Sequence, residues 1–166
     1  ITVNDVTLTN NQDITDGGVI SPLVSLVAML DDAKVEFSTK GSTFISLAVQ
    51  ADNGIDVNRR ITTTTGELHL DGDGEGDSSS DTPNAVTITH QMTIDSKLML
   101  TMEAETGSIV ASGAATLSAG NGIMIQDTFT GSGSTSKPIV MNADTDSNAS
   151  TALQDGVLTI QTGKAL

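Results

Sequence analysis

Residues Ile45–Leu70 read ISLAVQADNGIDVNRRITTTTGELHL and residues Leu98–Ile125 read LMLTMEAETGSIVASGAATLSAGNGIMI, two stretches with one layout about 53 positions apart. In each, an alternating aliphatic run ends in a small residue and an acid, Ala51-Asp52 or Ala104-Glu105, and turns at Gly54 or Gly107. A second short run follows, then another Gly, then a third run, Leu68-His69-Leu70 or Ile123-Met124-Ile125. Self-similarity at fixed spacing marks a chain of stacked units, each too small to bury its own apolar face.

Composition points the same way. Of 166 residues three are aromatic, all Phe (Phe37, Phe44 and Phe129), so a core must be built from Ile, Val, Leu, Met and Ala. Thr, Ser, Gly, Asn and Asp fill much of the remainder and favour strands and turns over helices. Lys+Arg number 7 against 21 Asp+Glu, and the net charge of -14 repels phosphate backbones and anionic lipid surfaces. Nucleic acid is therefore not an expected partner. With no cysteine, neither a disulfide nor a thiolate zinc site can hold the fold, and the redox compartment is left open. The apolar run Val19–Leu30 is broken by Ser and Pro and is shorter than the roughly 20 residues of a membrane span. The chain opens at Ile1 without a Met, a basic region or an apolar leader, which reads as a portion of a longer polypeptide.

Period-two alternation with turn punctuation recurs along the chain: Val35 and Phe37, Leu47 and Val49, Ile55 and Val57, Leu68 and Leu70. It continues through Val86 and Ile88, Leu100 and Met102, Ile123 and Ile125, and Ile139 and Met141. The turns Asp-Asn-Gly, Glu-Thr-Gly, Gly-Asn-Gly and Gln-Asp-Gly follow similar strands at similar places. A two-layer sandwich has no need of that recurrence, whereas in a solenoid each coil must turn the corner of the coil below it. The expectation is an all-β, parallel β-helix (β-solenoid) over residues 1–166, less clear in 1–44, with loop insertions at 71–84 and 127–138. One segment has a second reading: Leu23, Leu26, Val27 and Leu30 also fit helical spacing, with Ser21-Pro22 as a start signal.

The runs ADNGIDVNRRITTTTGELHLDGDGEG (residues 51–76) and EAETGSIVASGAATLSAGNGIMI (residues 103–125) resemble repeats of filamentous-haemagglutinin-type exoproteins. In those, A-x-x-G-x-I and T-T-x-G-x-L-x-L segments wind into a right-handed parallel β-helix, a style shared with giant secreted repeat proteins. The resemblance covers about Ile45–Ile160. It implies a secreted or cell-surface rod used for attachment, matrix building or display, and it implies neither catalysis nor a particular receptor.

Coils about 4.8 Å apart, at about 20 residues each, would give about seven coils once insertions are set aside, and roughly 35 Å of rod. End coils expose unpaired edges, so neighbouring modules of the same chain or further copies end to end are the expected partners, with surface glycans or other cell-surface molecules beside them. The alternative is a sandwich-type subunit of a secreted filament, in which Ile1–Thr9 pairs with a neighbouring copy.

Chemistry is sparse. In DGDGEGDSSSDTPN (residues 71–84), Asp71, Asp73, Glu75 and Asp77 alternate with glycine, as in the first half of an oxygen-ligand Ca²⁺ loop; Thr82 stands where a bidentate Glu would close it. The plain reading is a solvated acidic loop, and Asp144 with Asp146 forms a weaker acidic turn. His69, between Leu68 and Leu70, points outward; His90 shares parity with Val86 and Ile88 and suits a hydrogen-bonded corner. Glu103 and Glu105 share one face of a strand, but a sugar-cleaving pair would want aromatic platforms, and Arg59-Arg60 is the sole adjacent basic pair. Neither a nucleophile elbow nor a zinc quartet can be assembled. The Thr sets Thr7/Thr9, Thr62–Thr65 and Thr87/Thr89 do not recur once per coil, which argues against an ice-binding array. Asn148-Ala149-Ser150 is a glycosylation sequon, usable only in a eukaryotic secretory pathway. The expectation is a non-enzymatic, extracellular rod segment.

Overall fold

Strands of three to six residues with one apolar face cannot each bury that face alone; here they do so by lying on one another. The computed structural model describes residues 1–3, 23–76, 82–131, 138–146 and 156–166. These hold seventeen strands and no helix, and so no helix long and apolar enough to cross a membrane.

The strands form three parallel sheets. Sheet A contains β1 (Thr2–Val3), β3 (Val35–Phe37), β6 (Ile55–Val57), β9 (Val86–Ile88), β12 (Ile109–Ala111) and β15 (Phe129–Gly131). Sheet B contains β4 (Ser42–Phe44), β7 (Ile61–Thr63), β10 (Met92–Ser96), β13 (Ala115–Ala119) and β16 (Ile139–Asn142). Sheet C contains β2 (Leu23–Ala28), β5 (Ser46–Ala51), β8 (Leu68–Asp71), β11 (Met99–Glu103), β14 (Gly122–Ile125) and β17 (Val157–Ile160). The chain visits A, B and C in turn and then rises one rung, making a β-solenoid of about five turns. The expected solenoid is therefore present, with five turns in place of seven and a height of about 24 Å at strand spacing.

Val35 lies over Ile55, Ile55 over Val86, Val86 over Ile109 and Ile109 over Phe129. Two of these steps span 20 residues, but the second spans 31, because the stretch between Asp71 and Val86 is spent outside the sheets. The 53-residue echo is thus a double turn. Leu47 stacks on Leu68, Leu68 on Leu100 and Leu100 on Ile123, so Leu47 and Leu100 are two rungs apart. Within the expected insertion at 127–138, Phe129–Gly131 forms β15; residues 132–137 lie outside the described part.

Two expectations are corrected. Leu23–Ala28 is a strand and not a helix: it pairs residue for residue with Ser46–Ala51, which satisfies the backbone through a neighbour. Its helical spacing was incidental, since Val24, Leu26 and Ala28 face the shaft while Leu23 and Val27 are exposed. The sandwich alternative fails because every pairing among the described strands is parallel. Thr2 and Val3 pair with Glu36 and Phe37 of their own chain, and residues 4–9 are not described.

Aliphatic files run up the shaft, and all three Phe rings, Phe37, Phe44 and Phe129, are buried within it. Where sheet B turns into sheet C the inward residues Thr63 and Ser96 carry hydroxyls. Thr63 Oγ1 donates to Gly66 O at 2.8 Å, Ser96 Oγ donates to Met99 O at 2.8 Å, and Thr63 Oγ1 accepts from Lys97 N at 3.0 Å. Buried hydroxyls are tolerated there because each is hydrogen-bonded to backbone of the B-to-C corner.

Candidate functional site

Three buried acids lie where sheet C turns into sheet A, of which only Asp52 belongs to the Ala-acid-x-Gly motif, whose other acid, Glu105, is exposed. Asp52, Asp73 and Asp127, on three of these turns, are 1%, 3% and 4% exposed. Asp73 and Asp127 bind neighbouring turns together, although Asp73 Oδ1 has no hydrogen-bond partner among the described residues. Asp73 Oδ2 accepts from both the backbone N and the hydroxyl of Thr106, each at 2.6 Å, one rung on. Asp127 Oδ2 accepts from Ala104 N at 2.9 Å, one rung back, while its Oδ1 pairs with Lys164. Asp71 Oδ1 accepts from Asp73 N at 3.2 Å, and Gly72 N and Gly74 N donate to Glu103 O and Ala51 O.

The expected Ca²⁺ ligands are accordingly distributed differently from a free loop. Asp71 ends β8 and is buried, Asp73 is inserted between rungs, Glu75 is exposed, and Asp77 lies outside the described residues, as does Asp81. Among the described residues no three His, Asp or Glu side chains come together as a metal-holding group. The turn containing Asp144 and Asp146 is closed by Asp144 N donating to Asn142 Oδ1 at 3.2 Å. Asn148 is not among the described residues. Removing Asp73 leaves the Thr106 donors without their acceptor. Asp73→Ala should cost about 1–3 kcal/mol, read as a lowered urea midpoint, with Glu75→Ala shifting it much less.

The remaining candidates take structural roles. His69 sits on the outer face of sheet C with Nε2 3.5 Å from Glu103 Oε2. His90 is the expected corner histidine, its Nδ1 accepting from Ala114 N at 3.1 Å. Glu103 ends β11 on the outer face, but Glu105 lies beyond the strand in the turn, its carboxylate against Gly76, so the two do not share a strand face. Outward threonines do occur on sheet B, at Thr43 and Thr62, but the file continues into Asp95, which holds Arg60 at 2.9 Å and interrupts any regular array. Thr7 and Thr9 are not described.

Sequence reasoning passed over one grouping. Lys40 and the Arg59-Arg60 pair, 20 residues apart in sequence, occupy the same A-to-B corner on adjacent rungs, with Ser42 N donating to Arg60 O at 3.0 Å. The signal was present as the only adjacent basic pair, one turn's length after a lysine. No protein-family profile, no curated protein and no solved structure matches this chain.

Proposed function

We propose that this chain is a non-enzymatic structural length of an extracellular or cell-surface rod, whose axis continues through neighbouring modules or further copies. The observation that supports this reading is the position of the exposed large hydrophobics. Among the described residues these are Ile1, Leu23, Val27, Met29 and Leu30 at the first rungs, and Val140, Val157, Leu158 and Leu166 at the last. Among the described residues the side walls between carry none. At the last rung an apolar hollow of about 310 Å³, lined by Phe129, Gly131, Ile139, Met141 and Leu166, opens the shaft itself. Exposed strand edges with apolar flanks are templates for further pairing.

In-register continuation would set a Val24-type residue on Leu158 and a Leu26-type residue on Ile160, extending the files that join β2 to β17. The mechanism is mechanical: hydrogen bonds along the axis resist extension, and the walls are left free for contact. The extracellular setting follows the exoprotein resemblance of residues 51–76 and 103–125.

Sedimentation velocity over a range of concentrations tests the stacking. The expected result is concentration-dependent assembly that Leu158→Lys, at an already exposed site, abolishes without changing the circular dichroism spectrum. A chain that sediments as a monomer at every concentration would remove self-stacking from the reading.

A further inference from the structure

Residues 164–166 begin a further turn on sheet A. After β17, Gln161 N donates to Ile125 O at 2.9 Å and Lys164 N to Gln161 O at 3.1 Å, which turns the chain from sheet C toward sheet A. Lys164 then pairs with the buried carboxylate of Asp127, and Phe129 N donates to Ala165 O at 2.9 Å. That last bond fixes a register. Val35 N, Ile55 N, Val86 N and Ile109 N donate to Gly54 O, Ala85 O, Ser108 O and Thr128 O, in each case the residue before the one that stacks on the donor. By the same pattern Leu166 stacks on Phe129. It extends the inward file of Val35, Ile55, Val86, Ile109 and Phe129, and it lines the hollow at the last rung beside Phe129.

The two ends of the coil are stepped as a result. At the first end β1 pairs with β3 and β2 with β5, so β1 and β2 share a rung. At the last end β15 pairs with β12 and β17 with β14, so β15 and β17 share a rung as well. A second copy laid head to tail meets both edges at once only with its β1 directly on β15 and its β2 directly on β17. Ala165 and Leu166 stand in the first of those places. If the second copy's β1 is seated on Leu166 instead, its β2 lies one strand spacing, about 4.8 Å, too far from β17 to bond. The four residues Val157–Ile160 then face a gap, with their backbone groups shut away from any partner strand.

We infer that residues 164–166 are a latch on this end of the rod: they occupy the sheet A edge that β1 of a following copy needs, and a second copy stacks in register only once they are released. The inference rests on the axial-stacking reading above and adds to it what holds stacking back. Among the described residues the latch is seated by the Ala165 bond and the Lys164 pair, whereas the contact it excludes is strand pairing along both β15 and β17. Exchange therefore favours the stack once a second copy is at hand. Of the two segments that compete for the place, β1 is the more firmly held on its own chain. Ile1 N donates to Lys34 O at 2.7 Å, Glu36 N donates to Ile1 O at 2.8 Å, and Thr2 and Val3 lie in register on Glu36 and Phe37. The latch is the segment that gives way.

Sedimentation velocity of the intact chain beside a chain lacking residues 164–166 tests it. The shortened chain should assemble at a concentration at least about tenfold lower, the gain expected when a competing hydrogen bond and ion pair are lost. Leu158→Lys in the shortened chain should abolish that gain. Lys164→Glu, which sets a like charge against Asp127 without shortening the chain, should move assembly in the same direction. Removing residues 1–3 should weaken assembly, because it deletes the strand that the released edge receives. Circular dichroism checks that each variant keeps its β structure. Equal assembly by the intact and shortened chains, or a gain on removing residues 1–3, would overturn the latch and leave axial stacking in place; no assembly by any of these chains would overturn both.

Discussion

Leu100→Asp should leave no cooperatively folded protein at 25 °C, while Thr101→Asp, one position along the same strand, should melt within a few degrees of the wild type. Leu100 lies in β11, fully buried, with Leu68 on one rung and Ile123 on the next. Truncating such a leucine alone costs about 2–5 kcal/mol. A carboxylate in its place adds a desolvation penalty of several kcal/mol, because the aliphatic file offers it no donor and no cation. The sum takes up most or all of the roughly 5–15 kcal/mol that holds a typical domain together. Thr101 points the other way, half-buried between His69 and Met124 on the outer wall, where a carboxylate keeps access to water. Far-ultraviolet circular dichroism with a thermal melt reads both. Similar losses in the two variants would contradict the assignment of inward and outward faces on which the solenoid rests.

That contrast also shows what the sequence could reveal. Inward residues of sheets A and C were legible because their period of two survives in every turn: Ile55 and Val57, Val86 and Ile88, Leu100 and Met102 all face the shaft. The direction of pairing was legible from the turns, since the Ala-acid-x-Gly corner returns after β5 and again after β11. Rung length was not. An insertion between Asp71 and Val86 makes one turn longer than its neighbours, so the strongest self-similarity spans two turns and hides the single one. Strand β2 was ambiguous because a short apolar run carries both periods, and only its partner β5 decides between them. The acids were legible as a cluster and misplaced as a loop. Whether Asp73 is solvated or inserted between rungs depends on Thr106, 33 residues away, and no local pattern encodes that contact.

The same long-range dependence governs the basic corner. Lys40 and Arg59 are unremarkable in the linear chain, and they become neighbours because one turn without an insertion separates them. In a solenoid a side-wall patch is therefore written at the rung period, and an insertion shifts which residues share it. The long excursion follows β8, the strand that completes the rung of Arg59-Arg60, on the C-to-A side, so it leaves the alignment of Lys40 with Arg59-Arg60 intact. Asp95, on the rung beyond, reaches back and pairs with Arg60 at 2.9 Å.

Gly107→Ala should destabilise the chain sharply although it adds one methyl group at a turn. A Cβ at that position would stand 1.8 Å from the carbonyl oxygen of Asn84, 2.6 Å from its carbonyl carbon and 2.9 Å from Pro83 O. All three atoms are backbone, so no rotamer change relieves the overlap. The segment 82–85 lies there because it returns the insertion to sheet A, where Ile55 N donates to Ala85 O at 2.9 Å and Val86 N donates to Ser108 O at 3.2 Å. Moving it would break pairing on both sides of one rung, at a cost above the about 1–3 kcal/mol usual for overpacking. Gly131→Ala is the matched control. Among the described residues its added methyl would meet only Ile139 Cδ1, at 3.8 Å, and the change should fall within about 0.5 kcal/mol of neutral. Urea titration of the two variants separates a steric requirement at the corner from a general intolerance of alanine. The echo of Gly54 and Gly107 then has its physical reason: at each, a Cβ would press on the backbone of an adjacent turn, within 2.9 Å of Ala85 O in the first case and Asn84 O in the second. The close approach at both corners is to the single segment Asn84-Ala85, so the insertion and the two glycines are expected to tolerate change only together.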